Sequence, residues 1–218
     1  MVVFGQIAGL GTDGIPQMLF YLFGTSVWGF FSSCLTGNAG TFVSHAALFG
    51  KVYFPRLTVP VSNVCSAFLR WCIQMSLVLV LLVYYGVQGL VTLHWWGLPL
   101  LLLEMLHLGG MGMGLGIVIS SLTTKYRDLS VLVNFAVQLW MYATPVVYPL
   151  SELPVGSLRT LLMWNPVTMP MEVLRRAVLG TGTVEPAYLV YSWVFAAVVM
   201  LAGIMIFNKV ERTFMDTV

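Results

Sequence analysis

Long charge-free intervals organise this chain. No residue between Asp13 and Lys51 carries a formal charge, an interval well beyond the roughly 20 residues that a helix needs to cross a bilayer. The pattern predicts a span over about 17–36, a small-residue stretch from Gly37 to Gly40, and a short amphipathic helix over 41–50. A second span is predicted over about 60–85, opening at Pro60 and closing on Tyr84-Tyr85-Gly86. A third is expected over about 97–122, a fourth over about 131–148 and a fifth over about 187–207. The fifth is the cleanest, with no charge between Pro186 and Asn208. Met1 to Leu10 reads as the last turns of a further apolar helix running into a Gly/Asp/Pro turn.

The interval 149–185 is apolar but broken by Pro149, Pro154, Pro166 and Pro170. Its helical pieces, about 155–164 and 168–179, are too short to cross, and segments of that length are re-entrant or interfacial. Glu172 with Arg175 and Arg176 has the i,i+3 and i,i+4 spacing of an ion pair on a helix surface. Gly180 supplies a C-terminal stop. The expected fold is all-α: one polytopic domain over 1–218, with five full transmembrane helices and the end of a sixth at the N-terminus.

Composition supports lipid as the solvent. Hydrophobic residues make up 59% and charged residues 8%, against roughly 45–50% and about 25% in soluble domains. Ten basic and eight acidic side chains could not cover a soluble globule of 218 residues. A net charge of +2, scattered along the chain, excludes a nucleic-acid surface. Cys34, Cys65 and Cys72 all sit in apolar stretches, which argues against a disulfide framework or a metal site. The N-terminus has no basic n-region of a signal peptide, and no period of 20–50 residues repeats. Lys51, Arg56, Lys125, Arg127, Lys209 and Arg212 fall on one side of the predicted spans, against Arg159, Arg175 and Arg176 on the other. The positive-inside bias makes the first set cytoplasmic and leaves the N-terminus outside.

Catalytic and cofactor signals are absent from the sequence. The Gly50-Lys51 pair lacks the glycines and the Ser/Thr of a phosphate-binding loop, and GxSxG, HExxH and CxxC do not occur. His45, His94 and His107 lie far apart, with packing or interfacial roles expected of each. Gly110, Gly112, Gly114 and Gly116 fall mid-span, where GxxxG spacing favours close helix packing; flexibility for a gating motion is the alternative. Arg70 and Glu104 are the ionisable residues inside spans, and each must face protein or water rather than lipid. A direct pair between them is not expected, because their depths differ by more than about 10 Å at a rise of roughly 1.5 Å per residue. Ser62, Ser66, Arg70 and Gln74 form one polar stripe, either a helix–helix seam or part of a hydrated lining. Asn134, Gln138, Met141, Tyr142 and Pro145 share one face of the fourth span. Amides beside an aromatic ring suit a hydroxylated substrate, and interhelical hydrogen bonding is the alternative.

Several stretches resemble one family, the permease subunits of ABC type-2 exporters, in the branch exporting O-antigen, teichoic acid and related polysaccharides. They are VVFGQIAGL at the start, SHAALFGKVYFPRLTVPVSNV at 44–64, TTKYRDL at 123–129, TPVVYPLSELP at 144–154, WNPVTMPMEVLRRAVLG at 164–180 and the terminal FNKVERTFMDTV. The resemblance implies a homodimeric, multi-pass permease of the bacterial inner membrane, exporting a lipid-linked glycan. It would be powered by a separate ATPase subunit, with no cofactor and no chemistry of its own. The segment containing Phe42, His45, Ala46, Phe49, Lys51, Tyr53 and Arg56 would carry the helix that docks on the ATPase. Asn134, Gln138 and Tyr142, with Arg70 and Gln74, would line the channel. Family members begin several dozen residues earlier, so the resemblance also implies that the interface helix and most of the first span are missing here. An exporter of drugs or lipids and a non-transporting membrane scaffold are the competing readings.

Overall fold

A computed structural model describes residues 11–41, 57–91, 97–125 and 128–215. Seven α-helices and one 3₁₀ turn make up the described residues, with no strand: α1 (Gln17–Ala39), α2 (Thr58–Val87), α3 (Gly97–Lys125), α4 (Leu129–Tyr142), the 3₁₀ turn Leu150–Glu152, α5 (Ser157–Met163), α6 (Thr168–Leu179) and α7 (Pro186–Met215). The helix ends follow local chemistry. Pro16 precedes α1 with φ fixed at −52°, Pro186 opens α7 where a missing N–H costs nothing, and Gly180 closes α6 in the left-handed conformation at φ 77°. The predicted helix over 41–50 lies outside the described residues.

Among the described residues, four helices are long and apolar enough to cross a membrane: Gln17–Ala39, Thr58–Val87, Gly97–Thr123 and Pro186–Asn208. The predicted fourth span is shorter than its apolar run suggests. α4 has 14 residues, about 21 Å at 1.5 Å per residue, and the chain turns from Ala143 onward. Asn165 stabilises that early end: its Nδ2 donates to the Ala143 carbonyl and to Thr144 Oγ1, each at 2.9 Å. Trp140 Nε1 donates in turn to Asn165 Oδ1 at 3.1 Å.

α1 packs against α2, α3, α4 and α6, with Leu19, Phe20, Phe23, Val27, Phe31 and Cys34 fully buried. Its Phe30 meets Phe68 and Trp71 of α2, and its Trp28 and Phe31 meet Trp140 of α4. Contacts along the helices give their directions. Asn63, near the start of α2, donates to the Gly37 carbonyl at the end of α1, so these two are antiparallel. Residues 109, 112 and 116 of α3 meet residues 30, 34 and 38 of α1, so these two are parallel. α7 also runs parallel to α3, with His107 against Ser192 and Trp193 and Gly114 against Met200.

Candidate functional site

Two polar faces lie on the outside of the bundle. On α2, Ala67, Trp71, Met75 and Val78 are buried, while Ser62, Ser66, Arg70 and Gln74 are exposed along its length. On α4, Val137 is buried, and Asn134, Gln138 and Tyr142 are exposed. Pro145, predicted to share that face, sits beyond the helix end, buried, with its carbonyl bound to Arg175. α1 touches both α2 and α4 and presents its own half-buried small polar side chains, Thr25, Ser32 and Thr36. The signal that would have found them is their recurrence at intervals of four and seven residues. The hydroxyls of Thr25 and Thr36 donate back to carbonyls one turn earlier, at 2.7 and 2.8 Å, and so are already satisfied. Among the described residues Arg70 has no carboxylate in ion-pair range, and Glu104 is bound elsewhere. The segment Phe42, His45, Ala46, Phe49, Lys51, Tyr53 and Arg56 lies outside the described residues.

The glycines of α3 divide by direction. A Cβ on Gly112 would stand 2.8 Å from Cys34 Cβ, and one on Gly116 would stand 2.6 Å from the Leu35 carbonyl, both on α1. A Cβ on Gly114 would stand 2.9 Å from Met200 Cα on α7. Gly110 has no such neighbour within 4 Å, and it borders an open groove between α3 and α7.

The predicted surface ion pair on α6 is instead buried: Glu172 and Arg175 are 1% and 0% exposed, and Arg176 alone faces out. Arg175 Nη1 donates to Glu172 Oε1 at 2.5 Å and Nη2 to the Pro145 carbonyl at 2.6 Å. Glu172 Oε2 accepts the Thr183 amide at 2.9 Å. Spacing gave the partners, but the burial depends on a carbonyl thirty residues away that spacing does not reveal. Burial pushes the Glu172 carboxyl above the usual range, against the pull of Arg175 and the Thr183 amide. It likewise pulls the Arg175 guanidinium down from its ordinary value.

A second buried polar cluster falls outside the sequence expectations. Glu104 Oε2 is 2.8 Å from His107 Nδ1, and His107 Nε2 is 3.3 Å from Ser192 Oγ. The imidazole stacks on Trp193 with ring centres 4.1 Å apart. The i,i+3 spacing of Glu104 and His107 was the available signal.

Residues 1–179 match the ABC-2 type transporter family. The chain is 26% identical over 199 residues to the O-antigen export system permease protein RfbA of Klebsiella pneumoniae, covering 91% of this chain and 74% of that one. A second K. pneumoniae protein of the same name is 27% identical over the same shares. The protein of that name from Myxococcus xanthus is 31% identical over 161 residues, 73% of this chain and 60% of its own length.

Proposed function

Because the chain belongs to the ABC-2 type transporter family, we propose that it is the membrane permease subunit of a polysaccharide exporter. In this reading two copies enclose a path for a lipid-linked glycan across the bacterial inner membrane, driven by a separate ATPase subunit. The observation that carries it is the pair of exposed polar stripes, on α2 and on α4, running along helices whose other exposed positions are mostly apolar. A cation such as Arg70 does not face hydrocarbon without a large penalty. A second copy and a hydrated lumen between the two supply the surroundings it needs. Amides and a phenol along α4 can exchange hydrogen bonds with sugar hydroxyls, and the Tyr142 ring can stack on an apolar sugar face.

The reading includes a fifth crossing. α3 and α7 run parallel, so the chain between them has to return to the opposite side of the membrane, and α4 with 143–148 is the apolar segment available. α5 and α6 then enter from the outer side as re-entrant helices. The cytoplasmic helix over 41–50 docks on the ATPase, with Phe42 and Phe49 in an apolar groove.

The experiment is reconstitution of the permease and its ATPase subunit in vesicles holding a lipid-linked O-antigen-type glycan. ATP-dependent appearance of the glycan on the far leaflet is expected. ATP-driven movement of lipids or small amphiphiles, with the glycan left in place, would replace this reading with a lipid or drug exporter.

A further inference from the structure

The chain from Pro154 to Trp164 turns large apolar side chains outward. Val155, Leu158, Leu161 and Trp164 are between 56% and 92% exposed, while Arg159 and Leu162 are half-buried and Met163 is buried. Met163 packs with Leu150 and Met169, and Leu162, Tyr188 and Leu189 close around that small cluster. α5 is thus seated on the first turns of α7 by one apolar face and leaves a second one bare. A contiguous patch of this kind marks a surface that meets something other than water.

Two observations fix what that is. The first is depth. Trp164 meets Tyr188 and Tyr191 edge to face, with ring centres 5.9 and 5.2 Å apart. These tyrosines stand two and five residues past Pro186, where the apolar span Pro186–Asn208 begins, so they lie about 3 and 8 Å from its end at roughly 1.5 Å per residue. Trp and Tyr belts occupy that level in membrane proteins. Before α5 the chain is in water, since Glu152 is exposed and accepts from the Gly11 amide. The second observation is continuity. Every exposed residue of α7 from Ala187 to Met205 is apolar, Val190, Val194, Val198 and Leu201 among them. The stripes on α2 and α4 carry Ser, Arg, Asn and Gln, so this side of α7 is the one suited to hydrocarbon. Through Tyr191, Trp164 joins the α5 patch to it.

We propose that α5 is a lipid anchor, with Leu158, Leu161 and Trp164 among the phospholipid acyl chains just below the headgroups of the leaflet where α7 begins, and Val155 at the edge of the immersed patch. The apolar face of an interfacial helix sinks about 5–10 Å into that boundary, which agrees with the depth of the tyrosines beside it. Arg159, the one charge on α5, keeps its guanidinium hydrated at this level, as it could not at the bilayer centre. In the export reading this leaflet is the outer one; the depth itself does not rest on that reading. Asn165 follows Trp164 directly and binds the Ala143 carbonyl at the end of α4. The end of the candidate path helix is thereby referenced to the surface of one leaflet.

Spin labels on the single variants Leu158→Cys, Leu161→Cys and Glu185→Cys test this in the full chain, held in nanodiscs of phosphatidylcholine and phosphatidylglycerol, with the exposed Cys65 and Cys72 changed to serine. Power saturation compares dissolved oxygen, which concentrates in lipid, with a nickel chelate, which stays in water. Oxygen should exceed nickel several-fold at positions 158 and 161, at a depth of about 5–10 Å, and nickel should dominate at the exposed position 185. Nickel dominance at 158 and 161 would put the patch in water and overturn the proposal. Dipolar broadening between labels there would overturn it too, because the cover would then be a second copy. If the labelled variants do not assemble, hydroxyl-radical footprinting of the unaltered protein in the same discs reads the same surface: Leu158 and Leu161 should be protected, and rapid modification of both would overturn the anchor. Neither substrate nor ATPase enters these measurements, so their failure is distinguishable from failure of the export reading.

Discussion

Arg175 holds its guanidinium 4.3 Å from the centre of the Phe20 ring while donating to the Pro145 carbonyl. One cation thereby ties α6 to α1 and to the turn that follows α4. Arg175→Met should leave Glu172 and the Pro145 carbonyl buried without their partner and cost about 3–5 kcal/mol. The double variant Glu172→Gln/Arg175→Met should recover part of that loss, because no lone charge remains. Thermal unfolding in detergent measures both, and additive losses would show that the pair is not coupled.

Gln138→Leu and Tyr142→Ala, alone and together, are expected to reduce glycan export while leaving assembly intact, since both side chains lie on the outside of the chain and neither change buries a charge. Export equal to wild type in the double variant removes the α4 face from the path.

Arg70 separates a hydrated lining from a packed seam. If water reaches it, Arg70→Lys should keep more export than Arg70→Leu. Replacement of a paired, packed arginine by leucine would instead be tolerated. Equal export by the two variants leaves the charge without a role.

Gly116 and Gly110 make a matched pair on α3. Gly116→Ala forces a methyl to within 2.6 Å of the Leu35 carbonyl and is expected to destabilise by about 1–3 kcal/mol. Gly110→Ala enters open space and should be neutral in the same unfolding assay.

Phe49→Asp is expected to uncouple transport from ATP hydrolysis in the assembled complex, with insertion and dimerisation retained. Cysteines placed at His45 and Phe49 should crosslink to the ATPase subunit. No crosslink in an active complex would leave the 41–50 segment as a helix lying in the lipid interface.

What the sequence made legible follows from the range of the physics. The bounds of α6 could be read because Gly180 acts on its own helix end, and the long spans because hydropathy is a local sum. The early end of α4 could not, because the group that caps it, Asn165, lies more than twenty residues further along the chain. Glu172 and Arg175 were legible as partners through i,i+3 spacing, but their burial depends on Pro145. Glu104 invites comparison with Arg70 as the other charge within a span, although its partner stands one turn away on its own helix. The stripes on α2 and α4 were visible by periodicity. That both face outward depends on which side α1 occupies, and no single-helix pattern contains that.

The divided glycines of α3 have a mechanical consequence. Gly112 and Gly116 bring its backbone onto α1, and Gly114 brings it onto α7, where a Cβ added to Gly203 would stand 3.0 Å from the Gly114 carbonyl oxygen. Close-packed backbones have no side chains between them to act as bearings, so a rotation or a slide of one helix drives main-chain atoms into its neighbour. The three parallel helices therefore travel as one block. In the proposed dimer, any widening of a passage would fall to hinges at the ends of α2 and α4 or to the block of one copy swinging against that of the other.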